Sequence, residues 1–239
     1  MPRRTFLAFA ALLAGAAQAV PADRQVHREN RYVAFDYSWP AAVAAEPGLA
    51  RALGRRMAGE LRQATINARA QRAAARRGGY EFARHLFETS WRFEGRGARL
   101  TSLSAETSSF TGGGHAEPGY EVFVWDRSAR RALDVHRMFG QATLAALNPR
   151  FCSARLAALG EHLGEAPGDP RQGGEWACPL LIEQTMGPAD ADGDGRFDTL
   201  RIFVSRGYFD TEGYTVDVPL TAGDLARIPA PYRSGFEPR

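Results

Sequence analysis

Residues 32–37, Tyr-Val-Ala-Phe-Asp-Tyr, set large apolar side chains two apart at Val33, Phe35 and Tyr37, the period of a first strand, which Trp39-Pro40 closes. The period then lengthens. Leu49, Leu53, Met57, Leu61, Ala64 and Ala68 recur at helical spacing, predicting a long amphipathic helix that Gly78-Gly79 ends. Strand-like runs follow at residues 85–93 and 99–110, broken by Gly95-Arg96-Gly97, and again at 120–125. Residues 144–163 are mostly helical in period, with a break or fresh start expected at Asn148-Pro149. Residues 179–183, 199–204 and 214–218 read as the remaining strands, and 222–228 as a short helix. Strands and helices do not alternate strictly. The pattern predicts an α+β fold, with mostly antiparallel sheets packed against an N-terminal amphipathic helix and a second central helix. The expected organisation is a signal peptide at 1–19, an N-terminal α+β lobe at 20–110 and a C-terminal α+β lobe at 111–239.

Residues 1–19 stand apart from this pattern. Arg3 and Arg4 precede an apolar run at 6–14 and a small-x-small site, Ala17-Gln18-Ala19, the layout of a secretory leader too short to span a bilayer. Arg3-Arg4-Thr5-Phe6-Leu7 also resembles a twin-arginine signal, while paired arginines occur in ordinary leaders, so both export routes stay open. The expected destination is the periplasm. No later stretch is long and apolar enough to cross a membrane, so a soluble mature protein is expected. Removing the leader lowers the formal net charge from +3 to +1, which argues against a nucleic-acid partner. All thirty basic residues are arginine, a pattern consistent with GC-rich coding. Arg51, Arg55, Arg56, Arg62, Arg69, Arg72, Arg76 and Arg77 lie on the long helix with little opposing acid. Such a face is either simply solvated or holds an anionic partner. In an oxidising compartment Cys152 and Cys178 are expected to form a disulfide, stabilising by about 3 kcal/mol through the loop they close.

The chemistry-bearing stretch is Asp190-Ala191-Asp192-Gly193-Asp194-Gly195-Arg196-Phe197-Asp198. Its carboxylates fall at the first, third, fifth and ninth positions around a glycine at the sixth, where a tight loop turns alternate oxygens inward towards calcium. Arg196 would offer its backbone carbonyl. The twelfth position is Arg201 where a helix-loop-helix site needs a bidentate Glu, so a calcium loop between strands is expected, closed by Asp198. The alternative is an acidic hairpin turn.

Neither a GxSxG elbow nor an HExxH, P-loop or CxxC pattern occurs, and no two of the five histidines stand four apart. Thr111-Gly112-Gly113-Gly114-His115 is the candidate binding turn, because its glycines let the backbone approach a ligand closely. His115 as a general base oriented by Asp126 or Glu117 gives an alternative, hydrolytic reading.

This turn, with Trp125-Asp126 and the run Leu133-Asp134-Val135-His136-Arg137-Met138-Phe139, resembles a paired uncharacterised domain family of exported proteins. Members occur in the ectodomain of a lysozyme-sensing anti-sigma factor and in the non-catalytic N-terminal region of a peptidoglycan deacetylase. Tyr37-Ser38-Trp39-Pro40 is similar to the first domain of the pair. Glu212-Gly213-Tyr214-Thr215-Val216-Asp217-Val218-Pro219 and Pro231-Tyr232-Arg233-Ser234-Gly235-Phe236 are similar to the close of the second. Two departures stand out: Gly114 replaces the usual alanine, and residues 205–213 lack the Pro-Tyr pair the resemblance expects. The resemblance implies a non-catalytic binding module whose partner is a cell-wall component or a wall-degrading enzyme such as lysozyme. It carries over neither membrane signalling nor deacetylase activity. The alternative is a cell-wall hydrolase or deacetylase-type enzyme using His115 with Asp126. The contact surface is expected around residues 112–115 and near exposed aromatics at Tyr208 and Tyr214.

Overall fold

The computed structural model describes residues 23–166, 168–204 and 213–239. The leader, Tyr208 and most of the 205–213 departure lie outside the described residues.

Strand β1 (Arg24–Glu29) pairs antiparallel with β2 (Val33–Trp39). β1 was not expected, because Arg-Gln-Val-His-Arg-Glu has one apolar residue. Its backbone ladder to β2, with Arg24 over the Trp39 ring and His27 against Asp36, holds it at an edge, where charge discourages further strand addition. β2 is the first strand predicted, and it buries Val33, Phe35, Tyr37 and Trp39 on one face. A short helix α1 (Ala41–Ala44) leads into α2 (Pro47–Gly78). Pro47 needs no donor at the first turn, and Gly79, with φ of 70°, ends the helix by returning its N–H to the Ala75 carbonyl.

The chain returns as β3 (His85–Arg96), parallel to β2, followed by β4 (Leu100–Phe110), β5 (Glu117–Asp126) and the short β6 (Arg131–Leu133). These make a six-stranded sheet in the order β1-β2-β3-β4-β5-β6. The 110/111 lobe boundary expected from sequence falls in the connection between β4 and β5, whose ladder continues the sheet across it.

Helix α3 (Val135–Phe139) starts at Asp134, whose carboxylate accepts from the N–H groups of His136 and Arg137. Helix α4 (Gln141–Leu163) runs through Pro149, where sequence predicted a break. Burial of Leu144, Leu147 and Phe151 on either side of the proline outweighs its lost hydrogen bond. Cys152 and Cys178 form the expected disulfide.

Residues 179–183 are not the expected strand; they include a 3₁₀ turn at Leu181–Glu183. Leu180 exposed, Leu181 buried and Ile182 exposed imitate strand alternation. The Leu181 N–H is instead taken by the Asn148 side chain, 2.7 Å away. The strand itself is β7 (Thr185–Ala189), which joins β8 (Thr199–Val204) and β9 (Tyr214–Pro219) in a three-stranded antiparallel sheet. Helices α5 (Ala222–Leu225) and α6 (Ala230–Arg233) finish the chain. The α+β class, with mainly antiparallel sheets, is as predicted.

Two hydrophobic clusters hold these layers. One packs α2 against the side chains of β2 together with Trp91, Leu103, Ala105 and Trp125. The other joins α3, α4 and the small sheet to Leu100 and Val124, which point to the opposite face of the large sheet. β4 is therefore buried on both faces from Leu100 to Ala105.

Candidate functional site

Where the two sheets part, an open cleft of about 820 Å³ lies between β3, β4 and β5 on one side and β8, β9 and the end of α4 on the other. Strand alternation fills it with polar groups. Arg92 and Glu94 stand on β3, Glu106 on β4 and Tyr120 on β5, while Arg201 and Phe203 come from β8. Ala158, Glu161 and His162 of α4, with Tyr214 and Thr215 of β9, close the far wall.

Its charges are largely paired. Arg201 donates to both carboxylate oxygens of Asp217, at 2.8 and 2.6 Å, and to Glu94 at 2.7 Å. The Asp217 hydrogen bonds raise its pKa against the opposing effect of burial, and Glu94 adds to them. Arg92 sits 2.8 Å from Glu106. The aromatic groups are organised too. Tyr120 stacks on Phe203 with ring centroids 5.4 Å apart, and His162 on Tyr214 at 6.1 Å. Burial pushes the Tyr120 phenol up, helped by Glu106 and opposed by Arg92. Gly213 lies so close to the Tyr120 ring that a methyl there would stand 2.4 Å from it. Tyr214 is half-buried against the core, not the exposed aromatic expected.

The acidic loop joins β7 to β8 beside the cleft's β3 wall. Its first residue donates its N–H to the Glu94 carbonyl at 2.8 Å. Asp190 accepts from the N–H groups of Gly193 (2.7 Å) and Gly195 (2.9 Å), Asp192 from Asp194, and Asp194 from Arg196. Gly193 and Gly195 have φ of 82° and 93°, the left-handed region that glycine tolerates. One oxygen each of Asp190, Asp192 and Asp194 lies within 4.8 Å of the others.

Asp198 is not brought into that group. It is 0 % exposed, accepts from Ala191 N–H at 3.0 Å, and pairs with Arg239 at 3.4 Å. Arg196 reaches away to the Phe236 carbonyl. The C-terminal segment brings Glu237 against Asp194, and burial followed by contact with Asp194 raises the Glu237 pKa. Sequence spacing carries no trace of Glu237, which arrives only because Phe197 and Phe236 pair in register.

Thr111, Gly112, Gly113, Gly114 and His115 are all exposed between β4 and β5. Only Gly112, with φ of 97°, requires glycine; a methyl at Gly113 or Gly114 would meet nothing within 4 Å. The His115 ring lies 3.1 Å from the Ala116 carbonyl. Asp126 sits at the far end of β5, about 30 Å of strand away. It is 0 % exposed, accepts both Arg99 hydrogen bonds at 2.8 and 2.7 Å, and also takes Ser128 and Ala129 N–H groups. The hydrolytic pairing of His115 with Asp126 is therefore overturned: Asp126 braces a turn. The cleft residues were missed because their pattern, the polar face of ordinary strands, becomes a site only when a second sheet stands opposite.

No protein-family model matches the sequence, and no curated protein matches it. Solved structures do. A DUF3298-family protein from Pseudomonas aeruginosa aligns with TM-score 0.56 and 14 % identity, covering 91 % of this chain and 97 % of the other. A member of the same family from Bacteroides fragilis aligns with TM-score 0.51 and 12 % identity, covering 89 % and 95 %. Among the described residues no helix is long and apolar enough to cross a membrane. The chain thus has the fold seen in DUF3298-family proteins, an uncharacterised domain family.

Proposed function

We propose that this protein is an exported, non-catalytic binding module whose partner is a cell-wall component or a wall-degrading enzyme such as lysozyme. The observation that carries this reading is the preformed cleft between the sheets. Its arginines and acids are held in place by one another, while its stacked rings offer apolar faces. That combination suits recognition: the rings supply contact area at little entropic cost, and the fixed charges supply direction. The disulfide agrees with an oxidising compartment and so with export to the periplasm. The likeness to anti-sigma-factor and deacetylase-associated domains belongs to this proposal. The test is co-sedimentation with insoluble peptidoglycan and capture on immobilised lysozyme. Tyr120→Ala should weaken whichever binding occurs by about tenfold, the size of a lost aromatic anchor. Absence of binding to both, or turnover of wall fragments that His115→Ala abolishes, would overturn the reading.

We further propose that the acidic loop takes calcium. The fit rests on three carboxylates converging on a backbone already pinned by their own hydrogen bonds. Asp190, Asp192 and Asp194 would hold the ion, with Glu237 adjacent; bound there, calcium neutralises crowded carboxylates and stiffens the β7–β8 connection. Extracellular sites of this kind bind at roughly 10⁻⁴–10⁻³ M, so about 10 mM calcium should add roughly 1.5–3 kcal/mol. That corresponds to a rise in Tm of about 3–10 °C. Chelation should reverse the gain and Asp192→Ala should abolish it. An unchanged Tm would leave the loop as a turn.

A further inference from the structure

Helix α2 carries eight arginines and a single acid, Glu60. The chain without residues 1–19 has a formal charge of +1, and α2 alone contributes +7, leaving −6 on everything else. The charge is segregated, and it is also aligned. Arg55, Arg62, Arg69 and Arg76 recur every seventh residue, about 10.5 Å apart along the axis. With Arg51 and Arg77 they share about 100° of the circumference, opposite buried Leu49, Leu53, Ala64 and Ala68. All six are exposed. The eighth arginine, Arg56, stands off this line and is neutralised by Glu60 and Glu121, at 2.7 and 2.5 Å.

None of the ridge arginines forms an ion pair with a described carboxylate. At one end the positive charge is gathered further by a second element. Arg31, from the turn before β2, and Arg69 and Arg72 of α2 all pack on the Tyr32 ring, 4.8, 5.3 and 5.4 Å from its centroid. Three like charges held around one phenol, with no acid among them, repel one another unless an anion lies over them. Guanidinium groups gathered on one ring can turn N–H donors towards the oxygens of a bidentate phosphate.

We propose that this arginine ridge docks the protein peripherally on an anionic phospholipid surface, with the α2 axis along the bilayer plane. The shape selects a flat partner. The ridge is the convex outer face of a helix, with no flanking wall to enclose a linear polymer. Between its arginines lie exposed Ala58 and Ala73 and Ile66, which is 52 % exposed, small apolar contacts suited to the headgroup boundary. Docking this way turns the cleft away from the bilayer, because α2 and the cleft occupy opposite faces of the large sheet.

The test is co-sedimentation of the chain without residues 1–19, which precede the described fold, with phosphatidylcholine vesicles and with vesicles containing phosphatidylglycerol. Binding to the anionic vesicles should be more than about tenfold stronger and fall steeply with salt. The triple variant Arg55→Glu, Arg62→Glu, Arg76→Glu, which leaves the Tyr32 cluster intact, should lose it while keeping its circular dichroism and Tm. Separately, Arg69→Gln should weaken binding without abolishing it. Equal partition between the two vesicles, retained binding by the folded triple variant, or binding to soluble polyphosphate without binding to vesicles would overturn the proposal.

Discussion

Two buried polar side chains behave in opposite senses, and each makes a measurable claim. Burial pushes the Asp126 carboxyl up, but the hydrogen bonds of Arg99, Ala129 N–H and Ser128 N–H prevail and hold it below the usual range. A depressed carboxyl adds stability that is present above its unfolded pKa and lost as pH falls through the folded one. Asp126→Asn should therefore cost about 2–4 kcal/mol at neutral pH in urea unfolding. The difference between wild type and variant should begin to shrink below about pH 4 and close as pH falls through the lower folded value. His85 is the reverse case. Its ring is buried beside Phe82 and Phe87, with Nε2 against Gln71 and Nδ1 lacking a partner among the described residues, and burial lowers its pKa. The unfolded chain then binds the proton more readily, so stability should fall as pH drops from about 7 to 5. His85→Gln should flatten that slope. Neither role was legible in the sequence. Asp126 was legible only as an acid near a strand end, and its partner Arg99 lies 27 residues earlier across a hairpin.

At the level of elements, periodicity located α2, β2, β4 and β8 because each buries one or both faces against a large neighbour. It failed at β1, whose single apolar residue leaves no period to read, and at the Leu181–Glu183 turn, where buried Leu181 between exposed neighbours imitates a strand. It also failed at Pro149, where tertiary packing overrode local preference. The acidic loop shows both sides of this. Its spacing announced converging carboxylates, and three do converge, yet its anchoring depends on a bulge in β3. The β3–β4 register shifts between Phe93 and Gly95, and Gly95 has φ of 142°. A methyl there would stand 2.6 Å from Asp190 Cβ. Gly95→Ala should thus cost about 2–4 kcal/mol, from backbone strain plus overpacking, read as a lowered Tm. Gly114→Ala, in open space, should leave Tm within experimental scatter.

For the molecule as a whole, the fold class was readable from the order of periods, whereas the cleft was not, since it belongs to neither sheet alone. One feature of the large sheet reaches further. Among the described strands β2 and β3 are its single parallel pair, joined through α2, and Ser38 meets Ser90 at a separation of 52 positions in the chain. The hairpins linking β3, β4 and β5 can zip from short loops, but β2 gains its place only after the whole crossover has closed. Residues 23–84 then form one cooperative flap, the last part to assemble and the first to open. Native-state hydrogen exchange should show β2 and α2 amides exposed together, at lower free energy than those of β4. Such a flap, opening as a unit, is also the piece that two copies would trade, making strand exchange between molecules the characteristic error of this topology at high concentration.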